Sequence, residues 1–421
     1  MRRFVRALAA VACAVVLASA CSAADDGPAG PEPEGGDSEG DSATPFTRDD
    51  ADLVIWADRR RADALADVVA AFGDEQDVTT SVQVVPEQDL QTAFINANTA
   101  DVGPDVVVGT HGWIGAMVQN GAIDPVLLSD ADQGRYVDVA LAGVTFNDQV
   151  YGLPYAFESL ALLRNTELAP GAPATVEDLV AAAGAAGTEH RLCVPVGPEG
   201  IALSLHPFYS SAGGYLFGTT AEGDDDPNDL GVGQTGSLTA AGRLAGLGAS
   251  GALTAEAPEV TLTLFGERRC PFLLAGPSAL EAVAASGQPF EVSPVPGFAG
   301  LQPARPFTDV HAFFVASKGR SRELAQMFVL DTVNSPETMR VLYDAGPLPP
   351  AMTEALEAVQ ATAPTTARFA EAASTGQLLP AIPQVEEVWE PLSQAEAAII
   401  GGADPESTMQ TAGQRIADAL R

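Results

Sequence analysis

From Asp52 onward, short apolar runs of strand length alternate with segments of helical period, and this alternation admits few folds besides a mostly parallel sheet covered by helices. Leu53 to Trp56 reads as a first strand, and Ala62, Leu65, Val68, Val69 and Phe72 then recur at helical spacing. Ser81 to Val85 reads as a second strand, with Pro86 suited to opening the next helix. Gly103 to Gly109 reads as a third strand, followed by a helix that Gly121 closes. In open α/β sheets ligands settle at the carboxyl ends of the strands. The crevice loops are therefore expected at Ala57 to Arg61, Val85 to Gln88 and Gly109 to Trp113.

The first residues carry a separate message. Arg2, Arg3 and Arg6 precede an apolar run from Ala7 to Ala18, and Ala18-Ser19-Ala20 leads into Cys21. This reads as a signal peptide over residues 1–20. Small residues directly before the cysteine resemble a bacterial lipobox, which implies lipidation of Cys21 and anchoring at the outer face of the cell membrane, with no spanning helix needed. Ordinary secretory cleavage near Ala20 is the alternative. Residues 22–46 hold seven acids and no base, in a Gly, Pro and Ser background, so residues 21–49 are expected to form the lipidated cysteine and an acidic tether.

Charge excludes one class of partner. The chain has 21 basic and 56 acidic side chains, a formal net charge of -35, and the excess persists in the folded body beyond the tether. Nucleic acid is repelled by such a surface. Four scattered histidines form no ligand cluster, and His-Glu-x-x-His, Gly-x-Ser-x-Gly, a phosphate loop and paired CxxC are all absent from the sequence. No metal or cofactor is expected, and no enzyme. The acidic stretch Glu222 to Asp229 departs from a calcium loop at Pro227 and reads as a solvated hairpin tip.

Several segments resemble, in order and spacing, the family 1 extracellular solute-binding proteins of ABC importers, of the maltose-binding type. They are Leu53-Val54-Ile55-Trp56, Gly103-Pro104-Asp105-Val106-Val107, Tyr151-Gly152-Leu153-Pro154-Tyr155-Ala156-Phe157-Glu158, Gly213-Gly214-Tyr215, Gly276-Pro277, Pro306-Phe307, and Pro380-Ala381-Ile382-Pro383-Gln384 ending in Trp389. The resemblance implies a two-lobed, periplasmic-binding-protein-like (type II) α/β fold whose discontinuous lobes are joined by three crossovers. The first lobe would comprise 50–156 and 310–352, the second 160–306 and 356–421. It also implies a monomer that captures an oligosaccharide by hinge closure and delivers it to the transmembrane subunits of an ABC permease. Maltose, maltodextrin or another α-glucoside heads the class. A sensing or adhesive lipoprotein on the same scaffold, and more distantly a glycoside hydrolase, are the rival readings.

Sugar sites use aromatic faces and planar polar groups, so the candidates are Trp, Tyr, Asp, Glu and Arg near the crevice. Asp58 and Arg61 follow the first strand in a Trp-Ala-Asp-x-x-Arg pattern similar to Gram-positive sugar receptors, against the alternative of a helix-capping Asp with a solvated Arg; Arg59 and Arg60 read as solvated. Trp113 stands where an indole could overhang the crevice or pack on a helix. Glu158 interrupts an apolar strand, and Trp389 matches the family's stacking Trp or else joins a buried helical stripe. Tyr155, Tyr209, His111, Asp309 and His311 form a second tier near crossovers. Departures from the maltose receptor, among them Gly109 to Trp113, Ser278 and Glu390, point to a shorter glycan or a rebuilt pocket. Cys193 and Cys270, both on expected strands, are a possible disulfide in an oxidising exterior.

Overall fold

The computed structural model describes residues 46–220 and 224–421. The signal peptide, Cys21 and most of the expected tether lie outside them. The end of that tether does not: Phe46 sets its ring edge-on to Trp56, and Arg48 pairs with the fully buried Asp105 at 3.0 Å. Residues 46–49 therefore belong to the folded body, because Asp105 offers a buried carboxylate that needs a cation.

Strand β1 (Leu53–Ala57) has five residues with no exposure at all, which is why it reads as an unbroken apolar run and not as an alternating one. Asp58 ends it and caps helix α1 (Arg59–Gln76), accepting from the N–H groups of Arg60 and Arg61. Ala62, Leu65, Val69 and Phe72 form the buried stripe of α1. Strand β2 (Thr80–Val84), helix α2 (Glu87–Thr99) and strand β3 (Val106–Thr110) follow, with β1 parallel to both strands.

The long strand Phe307–Ala316 completes this sheet, running antiparallel to β3, to Gly152–Ser159 and to the short Ile123–Asp124, and parallel to Gln377–Leu378. A second, four-stranded sheet has the order Phe290–Ser293, Ala161–Asn165, Phe272–Ala275, Leu192–Cys193. The chain thus changes sheets between Ser159 and Ala161 and again between Ser293 and Phe307. Each sheet has its own large apolar core, giving two lobes, with a satellite cluster around Phe265 and Phe369.

Helices Thr353–Thr362 and Pro364–Ser374 place Ala355, Leu356, Ala370 and Ala373 in the first core, Phe369 and Ala372 pack with Ala161 and Leu163 of the second sheet, and Leu379 and Ile382 lie against the second core. At the C-terminus Asp404 accepts from the Ser407 N–H at 2.9 Å, Pro405 starts the helix Pro405–Ala419, and Met409, Ala412 and Ile416 are buried in the second core. No helix among the described residues is long and apolar enough to cross a membrane.

Cys193 and Cys270 are both buried and both free, so the expected bond is not formed. The Cys270 thiol is turned to the backbone, donating to the Phe272 carbonyl at 2.9 Å. The adjacent Cys270 thiol, and then burial, push the Cys193 thiol far above its ordinary value, so Cys193 is not poised as a nucleophile.

Candidate functional site

A cavity of about 850 Å³ opens at the carboxyl ends of β1 and β2. Asp58 to Arg61, Pro86 and Glu87 line it from those strand ends, Tyr155, Glu158 and His311 from the two long strands at the crossover, and Ser278 from the second lobe. Two of the three expected crevice loops meet here. The third, after β3, does not reach it.

The polar wall is a continuous chain of contacts. Asp58, fixed by its capping role, pairs with the Arg61 guanidinium; Arg61 Nε donates to the Tyr155 hydroxyl, and Arg61 Nη2 lies 2.9 Å from His311 Nδ1. His311 Nε2 lies 2.8 Å from Glu158 Oε1. His311 and Tyr155 are buried, whereas Glu158 keeps 28% of its side chain exposed, leaving a carboxylate oxygen for a ligand. The strand register is irregular between His311 and Ala312, a device that re-aims side chains at functional sites.

Electrostatics stiffen this chain. Burial works against ionisation of Asp58, but the Arg61 charge together with the hydrogen bonds from Arg61 and the Arg60 and Arg61 N–H groups holds the carboxyl below its ordinary value. Burial likewise opposes the charge on Arg61, and the oxygens of Tyr155 and Asp58 reverse the effect, so the guanidinium stays charged. Burial pushes the Tyr155 phenol up to about 12, keeping its proton in place.

A second cavity, of about 760 Å³, lies beyond the crossover strands, lined by His111 and Thr145 of the first lobe and by Tyr215, Asp225, Asp229 and Arg305 of the second. Here His111 Nδ1 lies 2.8 Å from Asp309 Oδ1, and its Nε2 lies 3.0 Å from the Leu379 carbonyl. Asp309 and Glu158 are register partners on adjacent strands, and each carboxylate has a histidine contact, Asp309 with His111 and Glu158 with His311. Burial opposes ionisation of Asp309, and the His111 contact, His311 and the Val310 N–H together hold the carboxyl below its ordinary value. The stretch read as a solvated hairpin tip contributes the strand Asp225–Leu230, whose Asp225 carboxyl is pushed up by burial beside Ala381.

Of the residues singled out from sequence, Asp58, Arg61, Tyr155, Glu158 and His311 converge on the first cavity, while His111 faces the second, with Asp309 hydrogen-bonded to it. The others are elsewhere. Trp113 folds back over β3, its ring so close to Gly109 that an added Cβ would sit 2.0 Å from it. Trp389 packs edge-on to Phe307, 6.0 Å between ring centroids, against the second core. Tyr209 has no exposure and belongs to that core. No group of three or more metal-ligating side chains occurs among the described residues.

Sequence reasoning set aside Arg59 and Arg60, yet both line the first cavity and neither guanidinium has an ion-pair or hydrogen-bond partner among the described residues. The available signal was position: they share the loop-to-helix junction with Asp58 and Arg61. Glu87 and Ser278 were missed too. Glu87 stands next to Pro86 at the head of α2, and Ser278 occupies a position read as a loss.

Comparison with known proteins adds a family to this geometry. The chain is 24% identical over 374 residues to the galactooligosaccharide-binding protein of Bacillus subtilis (strain 168), spanning 86% of this chain and 88% of that one. It is 25% identical to the maltotriose-binding protein of Pyrococcus abyssi (strain GE5 / Orsay), over 73% of this chain and 68% of the relative. It is 24% identical to a maltooligosaccharide ABC transporter solute-binding lipoprotein of Streptococcus pneumoniae (strain ATCC BAA-255 / R6), over 81% and 82%. Residues 67–386, spanning strands of both sheets, match the family model described as bacterial extracellular solute-binding protein, and with two α/β lobes around a polar cavity the chain belongs to that family.

Proposed function

We propose that this protein is the substrate-capturing lipoprotein of a carbohydrate ABC importer, which holds an oligosaccharide between its lobes and presents it to a membrane permease. The observation that carries the reading is the first cavity, where a preorganised Asp58–Arg61–His311–Glu158 wall of the first lobe faces Ser278 of the second. A ligand touching both lobes gains contacts only when they close, and that difference shifts the population towards the closed form. Relatives named for galactooligosaccharide, maltotriose and maltooligosaccharide support an oligosaccharide over an amino acid or ion. The Cys21 lipobox accounts for retention at the outer face of the membrane.

The site suits neutral polyols that present several hydroxyls to carboxylates and guanidinium groups. A maltodextrin receptor built on stacking indoles is less well supported, since neither Trp113 nor Trp389 lines the cavity. A glycosidase reading fares poorly as well: Asp58 is held ionised by Arg61 and its oxygens serve the helix cap, so it cannot act as the general acid opposite Glu158.

The test is thermal unfolding of residues 22–421 against maltose, maltotriose, galactooligosaccharides, trehalose and a set of amino acids. Binding to the native state raises Tm by mass action, by several degrees at about a hundred times Kd. A rise with one saccharide series is expected. A rise with amino acids alone would overturn the substrate class.

A further inference from the structure

The polar wall contains one side chain that the ligand need not touch for the site to depend on it. His311 stands on the long strand Phe307–Ala316 with 3% exposure, and both its ring nitrogens are engaged. Nδ1 faces Arg61 Nη2 at 2.9 Å. A guanidinium can only donate, so Nδ1 must carry the lone pair and the ring proton must sit on Nε2. That nitrogen is 2.8 Å from Glu158 Oε1 and donates to it. The tautomer is therefore dictated from one side and used on the other.

Arg61 is not free to release its hold. Its Nε is engaged with Tyr155, its Nη1 with Asp58, and Asp58 is pinned by the α1 cap. Orientation thus passes from the start of a helix, through three side chains, to the Glu158 carboxylate, which stays partly exposed at the cavity beside Gly276 of the second lobe, whose added Cβ would lie 3.4 Å from Glu158 Oε2. We infer that His311 is a positioning residue: it holds Glu158 in the rotamer that meets the ligand, and makes no ligand contact of its own. This rests on the oligosaccharide-receptor reading, and it replaces the direct-contact role that position alone suggested.

Two half-replacements separate the roles in the mature chain. In His311→Asn the amide oxygen stands near Nδ1 and can accept from Arg61, but nothing reaches Glu158. In His311→Gln the longer amide reaches Glu158 as a donor and gives up Arg61. Titration calorimetry with maltotriose and with galactooligosaccharide should show a loss of about tenfold or more for the Asn variant and a loss within about threefold for Gln. Equal effects of Asn and Gln, or none from either, overturn the proposal. Ring-nitrogen NMR of the ligand-free protein provides an independent test: an Nδ1–H tautomer at His311 also overturns it. If the wild type binds neither saccharide, the substrate class fails, and the NMR spectrum alone then decides the tautomer.

Discussion

The two lobes treat their buried charges in opposite ways. In the first, Asp105 receives Arg48 and the Val54 and Ser321 N–H groups, Arg61 is shared by four partners, His311 joins Glu158 and His111 joins Asp309. In the second, Arg164 pairs with Glu291, but Glu396 is fully buried with neither oxygen partnered, and His206 Nε2 has no partner although its ring stacks on Phe307 at 3.6 Å. Burial holds His206 down to about 3 and Glu396 well above the carboxylate range, so both remain neutral. The lesson is one of division of labour. Preorganised charge belongs to the lobe that builds the polar wall, while the other lobe supplies apolar packing and the Gly276–Ser278 edge that faces it.

Removing the centre of the first lobe's network should have the largest effect. Arg61→Ala strands Asp58, Tyr155 and His311 together, and is expected to cost about 3 kcal/mol in urea unfolding, because breaking a buried pair leaves the remaining charge uncompensated. A loss below about 1 kcal/mol would mean the network is decoration, and the contrast between lobes would collapse.

The second lobe should respond in the opposite direction. Glu396→Met replaces an unpartnered carboxyl with an apolar side chain of similar length and should stabilise by about 2 kcal/mol at neutral pH. The gain must depend on pH. Because the folded-state value of Glu396 is raised, the native state holds its proton while the unfolded chain releases it above the ordinary value of 4.5, so wild-type stability declines as pH rises through that point. Near about pH 4 the variant's advantage should shrink towards zero. A gain unchanged with pH would show that packing, not ionisation, is responsible.

The smallest stability effect belongs to the arginines at the cavity rim. Arg60→Gln should leave urea unfolding within about 0.5 kcal/mol of wild type yet weaken saccharide binding severalfold. Unchanged affinity would return Arg60 to the solvated face that its sequence context first indicated, and would confine ligand contacts to the Glu158 side of the cavity.

Local signals carried the fold a long way. The unbroken apolar run Leu53–Ala57, the Asp58 cap, the stripe of α1 and the Asp404-Pro405 start of the last helix all act within a few residues of themselves, and each is visible in order along the chain. The end of the first strand then placed Asp58 and Arg61 at a cavity through topology, whereas Glu158 was marked by the family resemblance and by its interruption of an apolar strand. Side-chain direction was another matter. Trp113 has the right position for a crevice aromatic, but Gly109 leaves a gap on β3 that the indole fills; Trp389 has the right motif, but Phe307 lies across its face.

What the sequence by itself determined is therefore the alternation of strands and helices, the acidic body and its caps, since these depend on neighbours one to four positions away. What only the tertiary structure decided is which groups share a wall. Arg61 and His311 are 250 residues apart in the chain and Glu158 and His311 are 153 apart, and no periodicity links them. Their contact exists because two crossover strands lie side by side against the start of α1, and because hydrogen bonds form between groups brought to about 3 Å, whatever their distance along the chain.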